Sequence, residues 1–286
     1  MFNDITLGQY FPADSPVHRL DPRTKLVLLI MYIIGVFLVK EVWVFAVVIA
    51  FMLFMTAMSH VPMSYLLKAL KPMKWLLPLM FLINLLMIRT GTELVRWRFI
   101  VITTGGLKQA VFIVLRLAAL VTGSSLLTLT TTPVSLTEGL ERLLSPLKII
   151  KFPAHELAMM MTIALRFIPT LLEESDKIMK AQLSRGADLE SGSIFRRAKA
   201  MLPILIPLFI NSFRRAEDLA LAMESRCYHG GEGRTRLKVL KLHMRDLWAV
   251  LIMAAFIAIV VILQKLLPLD SCILAFIAGI FGKRAA

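Results

Sequence analysis

Residues 26–58 read LVLLIMYIIGVFLVKEVWVFAVVIAFMLFMTAM, two apolar runs parted only by Lys40-Glu41. A bilayer crossing takes about 20 apolar residues, so the stretch is too long for one span and fits two joined by a tight outer hairpin. One long tilted helix through Lys40-Glu41 is the less favoured alternative. Similar runs follow at Trp75–Ile88, Leu107–Leu129 and Asp246–Leu263. Leu266–Phe281 is apolar too, but Pro268 and Asp270 interrupt it. The expectation is an all-α, polytopic membrane protein with five transmembrane helices, or six if Leu266–Phe281 also crosses. Composition agrees: 58% of the 286 residues are hydrophobic and 18% charged, against about a quarter charged in soluble domains.

The formal net charge of +14 raises the question of a nucleic-acid partner. In a membrane protein, lysine and arginine instead enrich the cytoplasmic segments, and no basic-aromatic cluster or RNA-binding signature is present. No nucleic-acid partner is expected. Basic residues before Leu26 argue for a cytoplasmic N-terminus, and Met1–Pro22, with Asp4, Asp14 and Asp21 and no apolar core, is not read as a cleaved signal. Ser59–Lys74 holds Lys68, Lys71 and Lys74 without an acid, as an inner loop should, and Leu67–Leu70 suggests a short interfacial helix. Arg89, Arg96, Arg98 and Lys108 run against this orientation, but the larger polar region further on outweighs them. In the fourth span, small and hydroxyl residues from Ala118 to Thr128 favour close helix packing, and Arg116 must face protein or reach the interface.

Residues 130–245 change character and carry more than half of the charged side chains. The pattern predicts a helix opening at Pro133, with a stripe from Leu136 to Leu147. A second opens at Ala154, continuing or kinking at Pro169, and stops at Gly186. A third, Ile194–Leu221, repeats the plan and ends before Gly230. Their apolar stripes suit a cytoplasmic layer lying along the membrane. The chain thus divides into 1–24, a cytoplasmic N-terminal segment; 25–129, four spans; 130–245, a cytoplasmic helical domain; and 246–286, a last span and tail.

Two segments in that domain share Ala-x-x-Ser-Arg: Ala181–Gly186, and Ala222–Cys227, whose arginines lie 41 residues apart. Arginine carries a fixed charge on a planar fork that grips a carboxylate bidentately. A lone arginine at a helix C-terminus is adequately explained by the helix dipole. Two in matching context point to docking, with Ser184, Arg185, Gly186, Ser225, Arg226 and Cys227 as the candidate site.

Other chemistry is missing. There is no GxxxxGK[ST] loop and no GxSxG, and Cys227 and Cys272 form no CxxC. The five histidines are scattered, so no catalytic residue, cofactor or metal is expected. Apart from Arg116 the spans lack the buried acids and histidines of a proton-coupled carrier, which points to an energy source in another subunit.

Taken with Gly8-Gln9-Tyr10, His18-Arg19-Leu20-Asp21-Pro22-Arg23-Thr24-Lys25, Thr130-Thr131-Thr132-Pro133 and Arg166-Phe167-Ile168-Pro169-Thr170, the two arginine motifs make the chain resemble EcfT, the transmembrane coupling component of energy-coupling factor (ECF) transporters. That family is related to the CbiQ cobalt-transport permeases. The resemblance implies a bacterial cell-membrane complex with two cytoplasmic ABC ATPases and a substrate-binding membrane subunit, the S component, within membrane lipid, for uptake of a vitamin or micronutrient. Residues 130–245 would then be a coupling-helix domain, and Arg185 and Arg226 would meet acidic grooves in the ATPases. Cys227 departs from the family pattern, where glycine often follows the arginine. The alternatives are a dedicated cobalt or nickel permease of the same family and, in another class, a membrane-embedded enzyme.

Overall fold

The computed structural model describes residues 10–97, 100–150, 152–187, 193–230 and 243–266. The helices are α1 (Pro22–Leu38), α2 (Phe45–Ser59), α3 (Met63–Leu70), α4 (Leu76–Met87), α5 (Thr104–Thr130), α6 (Pro133–Leu144), α7 (Ala154–Ser184), α8 (Ile194–Glu224) and α9 (Met244–Leu266). The segment Leu266–Phe281, taken above as a candidate sixth crossing, lies beyond the described residues except for Leu266. The chain forms two compact units, one of Gln9–Thr132 with Leu240–Ala286, the other of Met1–Gly8 with Pro133–Val239.

The protein is a multi-pass, all-α membrane protein. Four helices among the described residues are long and apolar enough to cross a bilayer, or five if the bent pair Met63–Lys74 and Leu76–Met87, 58° apart, is one span. Three of the four have mean hydropathies of 2.1 to 2.8, whereas α7 reaches only 1.2 in its best window. α7, which the sequence pattern placed in a cytoplasmic layer, is the least apolar of the four, and α1, with 17 residues, is not among them. The break at Lys40-Glu41 is present: α1 ends at Leu38, and a 3-10 turn over Val42–Val44 leads into α2.

Val36, Val39, Val44, Phe45 and Val48 are almost fully enclosed at the α1–α2 turn, and Phe112 of α5 meets Phe45 edge-on at 5.4 Å. Phe256 of α9 stacks on Phe51 at 4.1 Å and lies parallel to Tyr32 at 6.4 Å. The Tyr32 hydroxyl donates to the Ala119 carbonyl at 3.0 Å. A Cβ at Gly123 would fall 2.3 Å from Tyr32 Cε1, so only glycine leaves the ring its place. Arg116 reaches the Val39 carbonyl at 2.9 Å, across the rings of Phe112 and Phe37 at 4.4 and 5.3 Å. It faces protein, where the carbonyl and the two rings offset part of its cost in the span. Lys108 approaches Glu41 at 3.7 Å, so one of the basic residues that ran against the charge rule has an acidic partner.

At the opposite ends of α1 and α5, backbone groups are paired off one by one. A helix leaves its last four carbonyls without internal partners. In α5, Leu129 accepts from the Phe11 N–H at 2.9 Å and Thr130 from the Lys25 ammonium at 2.8 Å. Lys25 also donates to the His18 carbonyl at 3.2 Å. Asp21 caps α1 by accepting from the Arg23 N–H, with Pro22 in the first turn where a missing N–H is harmless. Its own N–H donates to Asp246, whose second oxygen accepts from the His243 N–H at the start of α9. One buried carboxylate thereby joins the starts of α1 and α9.

One element was absent from the sequence reading. Glu93–Trp97 and Ile100–Thr103 pair antiparallel as β1 and β2, with an irregularity between Glu93 and Val95. The β-branched run Ile100–Thr103 carried that signal, masked by its place between two spans.

Replacing Gly123 with alanine should push Tyr32 off its site and destabilise the protein by about 1–3 kcal/mol, read as a lower melting temperature in detergent. His18 supplies a pH prediction. Its ring bonds the Ser15 hydroxyl and the Phe11 carbonyl, and burial pulls its basicity below the usual 6.5. The neutral ring therefore contributes stability that is complete above about pH 6.5 and is lost as pH falls through the lowered folded value. A melting series from pH 7.5 to 5 should decline more steeply for the parent than for His18→Gln.

Candidate functional site

The second unit is built on α6, α7 and α8. His155 Nδ1 lies 2.9 Å from Glu141, tying the start of α7 to α6. Each of α7 and α8 has 31 residues, and each runs through internal proline without ending: Pro169 in α7, Pro203 and Pro207 in α8. At Pro169 one helix assignment runs through the proline, so the helix does not end there.

α7 and α8 are joined by one carboxylate. Glu174 accepts from Asn211 Nδ2 at 2.6 Å and from Arg215 at 3.2 Å, and the Arg215 guanidinium lies 5.8 Å from the centre of the Phe167 ring. Glu174 and Arg215 are 41 residues apart, the same interval as Arg185 and Arg226. The ion pair therefore joins equivalent positions of the two repeats. At 1.5 Å per helical residue, each arginine motif sits roughly 16 Å beyond this joint along its own helix.

Both helices stop in the same way. In α7 the Ala187 N–H bonds the Gln182 carbonyl and the Gly186 N–H bonds Leu183. In α8 the Tyr228 N–H bonds Met223 and the Cys227 N–H bonds Glu224. Each pair is a Schellman motif, a six-to-one bond enclosing a five-to-two bond, which needs a left-handed residue just past the cap. Gly186 (φ 83°) and Cys227 (φ 55°) fill that position. Arg185 and Arg226 fall on the preceding residue in both. Sequence alignment by motif and alignment by hydrogen bonds give the same pairing.

The arginine side chains are exposed, and neither has a carboxylate partner among the described residues. The serines differ from what the motif suggested. Ser184 Oγ donates to the Lys180 carbonyl and Ser225 Oγ to the Ala222 carbonyl, both at 3.0 Å, so their protons are spent on their own helices. Of the six predicted site residues, two are free cations, two shape the helix ends and two brace them. The joint at Glu174 was missed, although the 41-residue interval could have revealed it.

Comparison with known proteins gives the family. A family profile described as "Cobalt transport protein", CbiQ, matches residues 13–237. The energy-coupling factor transporter transmembrane protein EcfT of Clostridium kluyveri is 53% identical over 249 residues, covering 86% of this chain and 92% of its own. The chain belongs to the EcfT family. The EcfT of Acidaminococcus fermentans is 51% identical over 268 residues, covering 94% of this chain and 100% of its own. That of Bacillus subtilis is 49% identical over 240 residues, covering 84% and 91%. Membership makes the chain a transmembrane subunit of a transporter.

The two helix ends are not equally relaxed. A non-glycine residue in the left-handed region costs about 1 kcal/mol, and the exposed Cys227 side chain has little packing to set against it. Cys227→Gly should raise the unfolding free energy by up to about 1 kcal/mol, and Gly186→Ala should lower it by a similar amount, both measured by chemical denaturation in detergent.

Proposed function

We propose that this chain is the energy-coupling subunit of an ECF-type importer, with a cytoplasmic N-terminus and Arg185 and Arg226 as its contacts with two cytoplasmic ABC ATPases. The observation that carries the proposal is the duplicated helix end: two exposed guanidinium groups, without a carboxylate partner among the described residues, on the same hydrogen-bonded scaffold at matched distances from one joint. A lone helix-terminal arginine answers its own dipole. A matched pair suits a partner with two matched acidic grooves, as a pair of similar ATPases would offer. ATP-driven closure of that pair would move the two ends relative to each other, with the Glu174 joint as the fixed point between them.

The substrate-binding membrane subunit is assigned to the apolar side of the same helices. Leu202, Leu205, Phe209 and Phe213 recur every three or four residues on α8 and are 49% to 65% exposed. A stripe of that size needs an apolar partner, and Phe209 already rests on Phe213 at 4.7 Å. The chain would transmit motion from the ATPases to this subunit and so release a vitamin or other micronutrient inside. A dedicated cobalt or nickel importer is the second reading, favoured by the description of the matching family profile. The relatives near 50% identity carry the ECF name instead, and the proposal follows them.

The test is co-purification from cells expressing the chain with its ATPases. Arg185→Glu and Arg226→Glu together should abolish ATPase recovery, each alone should reduce it, and the isolated chain should stay folded with its melting temperature only slightly lowered, since each reversed charge at a helix C-terminus costs about 1 kcal/mol. Recovery of an intact complex with the double variant would overturn the docking assignment. Substrate-binding subunits of several kinds in the purified complex would select the shared importer over the dedicated one.

A further inference from the structure

A cavity of about 300 Å³ lies within the membrane unit, among α1, α2, α5 and α9, a volume at the small end of ligand pockets. Its lining is apolar over most of its extent, with Met52 and Met55 from α2 and Leu126 from α5. The polar groups gather where α1 and α9 begin and α5 ends: Lys25, Arg245 and Thr130. Along α9 the order is informative. Arg245, Trp248 and Ile252 follow at three- and four-residue intervals, placing a cation, an amphipathic ring and an aliphatic chain in succession on one helix face. Such an order matches a phospholipid from head to tail, with tryptophan at the depth it favours in bilayers.

The charge balance at this end is incomplete. Lys25 is 6% exposed, and its ammonium is held by two carbonyls, those of Thr130 and His18. The end of α5 supplies roughly half a negative charge, which leaves the remainder of a buried cation unanswered. Neither nearby acid answers it. Asp246 has one oxygen on the Asp21 N–H and the other on the His243 N–H, and Asp21 faces Arg23. Arg245 at the mouth is exposed and has no ion pair among the described residues. Two cations thus border an apolar hollow, and no described carboxylate serves either.

We propose that this cavity holds one acyl chain of an anionic phospholipid, with the phosphate at the mouth between Arg245 and Lys25. Basic pockets between membrane helices bind anionic headgroups through this chemistry. The lipid would then be a bound component that completes the junction of α1, α5 and α9.

Native mass spectrometry and thermal melting of the full chain in detergent test the assignment, after delipidation and addition of phosphatidylglycerol or phosphatidylcholine with matched acyl chains. The parent should retain phosphatidylglycerol preferentially and melt at a higher temperature with it. Arg245→Gln, on an exposed position, should reduce that preference roughly fivefold while leaving the lipid-free melt unchanged. Ala249→Phe, which fills the cavity from α9, should abolish retention of both lipids. Equal retention of the two lipids by the parent would overturn the proposal. So would a thermal shift reproduced by inorganic phosphate alone, or full phosphatidylglycerol retention by Ala249→Phe. If Ala249→Phe instead blocks capture of the substrate-binding subunit without changing lipid retention, the cavity belongs to a protein helix and the lipid assignment falls.

Discussion

Glu174 is the contact on which the polar unit depends. Its two oxygens take the amide of Asn211 and the guanidinium of Arg215, so one side chain of α7 holds two successive turns of α8. Glu174 is one-fifth exposed and Arg215 one-third, partly screened, so the ion pair is worth no more than about 1 kcal/mol. Its importance is geometric. Because it lies between equivalent positions of the repeat, everything at a given offset along one helix has a counterpart at that offset along the other. The arginines inherit their matched positions from it.

The membrane unit solves a different problem. In a bilayer an unpaired backbone group is expensive, and the termini of helices are where such groups occur. The segment before α1 and the first turns of α1 and α9 meet this need: Phe11 and Lys25 take the last carbonyls of α5, and Asp21 and Asp246 take N–H groups at the starts of α1 and α9. Lys25 is therefore a buried structural cation in the first turn of α1. The sequence alone placed it among the surface charges that set orientation. A positive-charge count does not distinguish a solvated lysine from one that caps a neighbouring helix.

The spans, the break at Lys40-Glu41 and the long amphipathic helices were legible because apolar run length and 3.6-residue periodicity are local properties of the chain. The ends of α7 and α8 were legible from Gly186 and from the repeated Ser-Arg. What escaped were contacts between residues far apart in sequence: Asp246 with Asp21, Arg116 with Val39, Glu174 with Arg215. Each involves an ordinary residue whose role exists only after packing. The β1–β2 hairpin escaped for another reason. Its strands are short, and neighbouring spans dominate any hydropathy reading of the region.

Cys227 shows how far the repeat constrains the chemistry. If the second helix merely had to stop, any of several cap geometries would serve, and a residue comfortable at negative φ would be the economical choice. Instead Cys227 adopts φ 55°, and the same two backbone bonds form as at Gly186. A mildly unfavourable conformation is kept at an exposed site. The feature it preserves is the placement of the preceding residue, Arg226, on a cap identical in form to that of Arg185. Under the docking role proposed for the two arginines, matching the two ends, and not only stopping the two helices, is the constraint that both caps would serve.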